Sequence, residues 1–280
     1  MRILDFVERY AIEHDVRAGT ISDYRVTVVV FTRSQGVDTF TSLMDADISE
    51  HLAWLKDHGY SPATIRGRRA KLLVLWRAAY AMGYTNNRPD PDRVRKVKVP
   101  PPNPQGLTHK QTACLVEWCQ TNMRRRLRLV PVPAGDYLAA LFLFLWSTGM
   151  RLGDAVSMEY SWLQGDMVTW RQSKTGHWHR ARLSPATLHA IEKIRTPERA
   201  LIWPRPAKSR TALYALIRRA FKGAGLIGTS KYIRRGVATD VFQRGLDPGR
   251  ALGHVPGSRV AIRYYVSQDA KIEPVSPTEL

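Results

Sequence analysis

Ser147-Thr148-Gly149-Met150-Arg151-Leu152-Gly153-Asp154 follows an unbroken apolar run, Tyr137 to Trp146. Such a run, ending in Thr-Gly, predicts a buried helix over 137–149. Arg151 then stands just past a buried segment with a glycine two residues away on either side. A guanidinium there can grip a phosphate through two parallel hydrogen bonds. A lone turn arginine is more often simply solvated, so its meaning depends on what the chain supplies elsewhere.

Downstream, four features follow in order. Ser173-Lys174-Thr175-Gly176 puts a lysine at a turn between expected strands 166–172 and 177–183. A hairpin lysine is usually solvated, but its mobile ammonium can also protonate a leaving oxygen. Lys231-Tyr232-Ile233-Arg234-Arg235 opens an expected helix over 230–244. Lys231 and Arg234 share a face near the positive helix end, which is unfavourable unless an anion docks. Leu252-Gly253-His254 places a histidine in a tight loop, able to donate to a phosphoryl oxygen. Arg263-Tyr264-Tyr265 lies at the end of an expected helix over 258–266. Tyrosines mostly serve packing, yet a phenol ringed by cations can be a nucleophile.

Upstream, residues 97–106 read Val-Lys-Val-Pro-Pro-Pro-Asn-Pro-Gln-Gly, a semi-rigid linker. It divides the chain into 1–96, a linker 97–107, and 108–280. The first part reads as helical over 3–13, 22–33, 48–58 and 62–82. Ser61-Pro62 is a start signal and Gly83 a stop. Ile65, Leu72, Leu75, Trp76 and Ala79 fall on one face of the last helix. Arg66, Arg68, Arg69, Lys71 and Arg77 line the other, with no acid among residues 61–83. That row is read as a phosphate-facing, DNA-binding surface. Val26-Thr-Val-Val-Val-Phe31 favours a strand by propensity, but its helical flanks predict helix. The second part adds helices over 109–122, 185–194 and 209–223, so the fold class is mainly α: a helical N-terminal domain, then a mostly helical domain with a small antiparallel β hairpin.

Composition agrees. Lys and Arg number 43 against 24 Asp and Glu, a formal charge of +19 that asks for a polyanionic partner, foremost nucleic acid. No apolar stretch is long enough to span a bilayer, and the first residues lack a signal-peptide pattern. Cys114 and Cys119 lie five apart on an expected helix and do not face each other, which argues against a disulfide or a zinc site and for a reducing interior. Carboxylates with metal-site spacing are not evident, nor is a phosphate-binding Gly-x-x-x-x-Gly-Lys loop, so neither metal nor ATP is expected.

Together these motifs resemble the tyrosine recombinases, the phage-integrase family, over nearly the whole chain. The family's set is an arginine after a Thr-Gly turn, a hairpin lysine, a His-x-x-Arg pair, a Leu-Gly-His and a tyrosine nucleophile. Matched residue by residue, Arg151 takes the first arginine, Lys174 the hairpin lysine, Arg234 the second arginine and His254 the histidine. Asp154 takes the acidic position three after the first arginine. Lys231 stands where most members have histidine; a lysine also occurs there in the related type IB topoisomerases and hairpin-telomere resolvases. The spacing from His254 to the tyrosine is one longer than usual. Tyr264 is the preferred nucleophile and Tyr265 the alternative.

The resemblance implies a site-specific recombinase that joins DNA to tyrosine through a 3′-phosphotyrosyl link, without cofactor. It implies a core-binding domain and a catalytic domain closing on double-stranded DNA, a homotetramer on two sites through a Holliday junction, no membrane, and a place in the cytoplasm of a cell or of a viral host. Two rivals stand beside it: a type IB topoisomerase-like relaxing enzyme, and a DNA-binding factor without catalysis.

Overall fold

The computed structural model describes residues 1–196, 199–204, 211–255 and 259–271. The first residues of the helices expected from 209 and 258 lie outside them. The chain forms two compact units, Met1–Pro101 and Pro102–Leu280. No helix among the described residues is long and apolar enough to cross a membrane.

The first unit holds α1 (Ile3–Glu13), α2 (Ala18–Gln35), α3 (Asp45–Asp57) and α4 (Pro62–Ala81). The β-branched stretch of α2 is helical because burial follows a helical period. Tyr24, Thr27, Val28 and Phe31 face inward, while Val26 and Val29 are about half exposed. Tertiary burial of that face outweighs the weak local preference for strand. Helix α4 starts as its sequence predicts: Ser61 Oγ accepts from Thr64 N–H at 3.3 Å, and Pro62 sits at the first turn. Gly83 follows its end at φ +75°. Phe6, Phe31, Phe40, Ile48, Leu55, Leu75 and Trp76 make the core. Val94 belongs to it too, so this unit's packing runs well past α4.

The second unit is built on α6 (Ala134–Thr148), which packs against α5 (His109–Asn122), α8 (Pro185–Lys193) and α10 (Ser230–Gln243). Residues 137–142 of α6 are all buried, as the apolar run predicts for a helix surrounded on all sides. A Thr108/Gln111 capping box opens α5. The antiparallel sheet has the order β1 (Leu163–Gln164), β2 (Met167–Arg171), β3 (Trp178–Arg182), with Trp170 opposite His179. The expected hairpin is therefore β2–β3, and β1 is an addition to it. Two short helices escape the sequence pattern, α7 (Leu152–Ala155) and α11 (Pro248–Ala251), each too short for a period to show. Helices α9 (Thr211–Gly223) and α12 (Val260–Tyr265) complete the unit. Gly236 lies so close to Leu107 that an added Cβ would stand 1.9 Å from the Leu107 carbonyl. Only glycine lets residues 105–107 lie against α10 in this way, fixed by Leu107 N–H to the Tyr232 carbonyl at 2.9 Å.

Candidate active site

Gly149 makes the first corner. Its φ of +58° ends α6 while its N–H still bonds the Leu145 carbonyl at 2.9 Å. The backbone is extended at Arg151, whose carbonyl accepts the Asp154 and Ala155 N–H groups that open α7. Arg151 Nη1 donates to Gln172 Oε1 at 2.7 Å, and Asp154 Oδ2 lies 3.9 Å from the same nitrogen. Asp154 is buried, and its Oδ1 accepts from both the N–H and the hydroxyl of Ser173. This carboxylate ties the β2–β3 turn to the segment carrying Arg151. Lys174 is exposed at that turn, one residue past the tie.

Helix α10 supplies the second arginine. Thr229 caps it, accepting from Lys231 N–H at 3.4 Å, and Lys231 is exposed on its first turn. Arg234 is only 4% exposed. It donates to the Gly149 carbonyl, to the Leu252 carbonyl at 3.1 Å and to His254 Nε2 at 3.3 Å. One guanidinium thus joins the end of α6 to the Leu252–His254 loop. Burial, and then the charge of Arg151, bring its pKa down to about 10, which leaves it cationic at neutral pH.

Burial, followed by Arg234 and Arg151, pushes His254 down to about 4. The ring is therefore neutral near pH 7. With Nε2 accepting from Arg234, the proton sits on Nδ1. That Nδ1 is buried and has no hydrogen-bond partner among the described residues.

The last helix places the two tyrosines differently. Tyr265 lies with its ring edge-on to His254, centroids 5.5 Å apart, and the Arg234 guanidinium is 5.2 Å from its ring centre. Burial raises the Tyr265 phenol. Arg234 and Arg151, a hydrogen bond from Arg234 and the charge of Lys231 outweigh that, and the net shift is downward. Tyr264 precedes it by about 100° of helix rotation. It is 40% exposed, under Arg263 rather than in the cluster. Of the two, Tyr265 is the one that the fold brings to Arg234 and His254.

In the first unit the basic row of α4 divides. Arg66 and Arg77 are exposed as expected. Arg69 is turned inward onto the chain and donates to the carbonyls of Pro91, Val94 and Arg95. Lys71 pairs with Asp23 of α2 at 3.2 Å, an acid outside the 61–83 window. Arg68 stacks on Tyr60, 4.7 Å from its ring centre, with a buried Nη1. Of the expected row, Arg66 and Arg77 are the exposed members, and Arg68, Arg69 and Lys71 each have a partner within the chain.

Gln172 is the residue that sequence reasoning missed. It is 1% exposed and bonded to Arg151 on one side and to the Leu252 and Gly253 carbonyls on the other. No residue-type signal marks a glutamine between Arg171 and Ser173. Around the cluster stand Arg151, Arg234 and Lys231, with Lys174 at the neighbouring turn, against the carboxylates of Asp154 and, beside His254, Asp247. The arrangement suits an anion with several oxygens next to a phenol held in a field that favours its anionic form.

The sequence profile of the phage integrase family matches residues 105–271, more than half of the 280-residue chain. No curated protein matches the sequence. Among solved structures, the chain is similar to lambda integrase (residues 75–356), a dimer bound to a COC′ core site. That match has a TM-score of 0.74 at 17% identity, over 99% of this chain and 100% of that one. It is also similar to the Tn1549 transposon integrase (residues 82–397) in complex with circular intermediate DNA, with a TM-score of 0.67 at 14% identity over 96% and 97%. A third is the XerH site-specific recombinase bound to palindromic difH substrate, with a TM-score of 0.64 at 16% identity over 86% and 75%. At such identities these likenesses speak to fold: a mainly α chain with a small antiparallel sheet. The profile match over the segment that holds Arg151, Lys174, Lys231, Arg234, His254 and Tyr265 makes the chain a member of the phage integrase family, the tyrosine recombinases.

Proposed function

We propose that this protein breaks and rejoins double-stranded DNA at a specific site, with Tyr265 as the nucleophile. The phenol gives its proton to solvent water and its oxygen attacks the scissile phosphorus. The bond to the 5′-oxygen breaks, and a 3′-phosphotyrosyl link and a free 5′-hydroxyl result. Rejoining is the reverse, with a 5′-hydroxyl displacing the tyrosine. The phosphodiester bond energy is kept in the protein–DNA link.

The site's residues divide the work. Arg151 and Arg234 hold the non-bridging oxygens and offset the charge that builds on them. His254, neutral, donates from Nε2 to the same oxygens once the bound phosphate draws Arg234 off that nitrogen and the ring proton moves there from Nδ1. Lys174 delivers a proton to the departing 5′-oxygen, for which its exposed place at the turn suits it. Lys231 adds positive field at the tyrosine in place of the usual histidine. The observation that carries this reading is the contact of Tyr265 with both Arg234 and His254. Those neighbours favour the phenolate of Tyr265 against the effect of burial, unlike the burial-raised phenols of Tyr24 and Tyr137.

DNA binding in this reading draws on the net charge of +19 and on Arg66 and Arg77 of α4. Lambda integrase has been seen as a tetramer bound to a Holliday junction. The same assembly on two sites is proposed for this chain. The test is incubation in EDTA with a plasmid carrying two copies of the DNA flanking the gene. Recombinant circles that need both copies support the reading. Relaxation of a one-copy plasmid without recombinants would favour a relaxing enzyme instead.

A further inference from the structure

We infer that Gln172 is a positioning residue, whose single carboxamide holds Arg151 and the Leu252–His254 loop in register on opposite sides of the phosphate site. The inference rests on the reaction proposed above, and its evidence is the hydrogen-bond pattern of one side chain. Oε1 accepts from Arg151 Nη1 at 2.7 Å and from Thr175 Oγ1 at 3.2 Å. Nε2 donates to the Leu252 carbonyl at 3.1 Å and the Gly253 carbonyl at 2.9 Å. Both acceptor sites and both donors are in use, in a side chain 1% exposed. The network also fixes which way the amide points. Turned over, its NH2 would face a guanidinium and its oxygen two carbonyls.

Three parts of the site meet at this group: the end of α6 through Arg151, the lysine turn through Thr175, and the histidine loop through two carbonyls. The loop is shaped for it. Gly253 has φ +64°, and a Cβ there would lie 2.1 Å from Gln172 Nε2. Arg234 bonds the same Leu252 carbonyl from the other side at 3.1 Å. Gln172 and Arg234 therefore grip one carbonyl between them, and the second arginine is indexed to the first through it. A glutamate would keep the bond to Arg151 but set an anionic oxygen against the Leu252 and Gly253 carbonyls. A methionine would fill the space and make neither set of bonds.

The test uses the full chain and a nicked duplex carrying the cleavage site, with either a phosphate or a methylphosphonate at the scissile position. For Gln172→Met, single-turnover cleavage of the phosphate substrate should fall on the order of 10- to 100-fold, as for a lost hydrogen bond to a charged group. DNA affinity should stay within twofold. The loss should be smaller on the methylphosphonate, which lacks the charge that a well-placed Arg151 neutralises. Gln172→Glu should not restore the rate. Cleavage within twofold of the native rate, or equal loss on both substrates with a lowered melting temperature, would overturn the inference.

A second readout needs no activity. In the native chain His254 is held near 4, facing Arg234, Arg151, Asp247 and His179. In Gln172→Met its titration, followed by ring NMR, should move toward the ordinary imidazole range as the loop loosens. An unmoved midpoint would overturn the inference. A native protein that never joins DNA would refute the reaction, and the His254 titration would then decide the placement of Gln172 by itself.

Discussion

The Arg234 guanidinium lies 5.2 Å from the centre of the Tyr265 ring, and the same guanidinium donates to His254 Nε2 at 3.3 Å. One buried cation thereby acts on the titration of two neighbours. It adds to burial in lowering the histidine and it favours the phenolate of Tyr265, while Arg151 acts on both in the same sense. Replacing Arg234 with Gln should lose cleavage. It should also raise both titrations, since a positive charge that disfavours imidazolium and favours phenolate is gone. Ring NMR of His254 with absorbance titration of tyrosine reads this out. A His254 midpoint unchanged in Arg234→Gln would contradict the assignment.

Lys174→Ala should slow cleavage by about 10²- to 10⁴-fold, the usual worth of a general acid. A substrate with sulfur at the 5′-bridging position should recover most of that rate. A thiolate leaves without needing a proton, whereas the oxygen does not. Equal impairment on both substrates would remove Lys174 from proton transfer.

The basic face of α4 separates into exposed and chain-facing residues, and the proposed DNA contact of the exposed ones can be measured. Arg66→Ala and Arg77→Ala should each reduce the slope of log affinity against log salt by about 1, with the melting temperature nearly unchanged. Arg69→Ala should instead lower stability by ~2 kcal/mol, since three carbonyls lose their donor. A changed salt slope with unchanged melting for Arg69→Ala would restore it to the DNA surface.

Much of this arrangement is legible in sequence because it depends on neighbours. Ser61-Pro62 and Gly83 bound α4 by local chemistry, and Thr-Gly ends α6 for the same reason. The roles of Arg69 and Lys71 were not legible. Their partners, Pro91 to Arg95 and Asp23, are distant in sequence and carry no pairing signal. The choice between Tyr264 and Tyr265 depends on the rotational phase of α12. That helix is 6 residues long, too short for an apolar period to announce which side faces in. Gln172 was invisible because its chemistry is neutral and its meaning comes wholly from burial.

Stability should fall as the solution is acidified from pH 6.5 toward 4. His51 is fully buried, and burial, followed by the charge of Arg68, lowers it to about 4. Between that value and its unfolded value near 6.5, the unfolded chain binds a proton that the folded chain does not. Stability therefore rises with pH across this window, by ~3 kcal/mol at most for this residue. His51→Gln should flatten that dependence in melting curves taken from pH 4 to 7. A native slope of the opposite sign would contradict the burial of a neutral ring.

Gly236→Ala should destabilise the second unit by about 1–3 kcal/mol, because the new methyl would stand 1.9 Å from the Leu107 carbonyl. Urea unfolding of the full chain measures it. An unchanged midpoint would mean that residues 105–107 do not lie against α10 in solution.

The most direct measurement is the covalent adduct itself. Native protein, Tyr264→Phe and Tyr265→Phe are each incubated in EDTA with a nicked duplex that traps the cleaved strand, and run on a denaturing gel. The account predicts a protein–DNA band for the native chain and for Tyr264→Phe, and none for Tyr265→Phe. A band that survives in Tyr265→Phe and vanishes in Tyr264→Phe would contradict the assignment of the nucleophile.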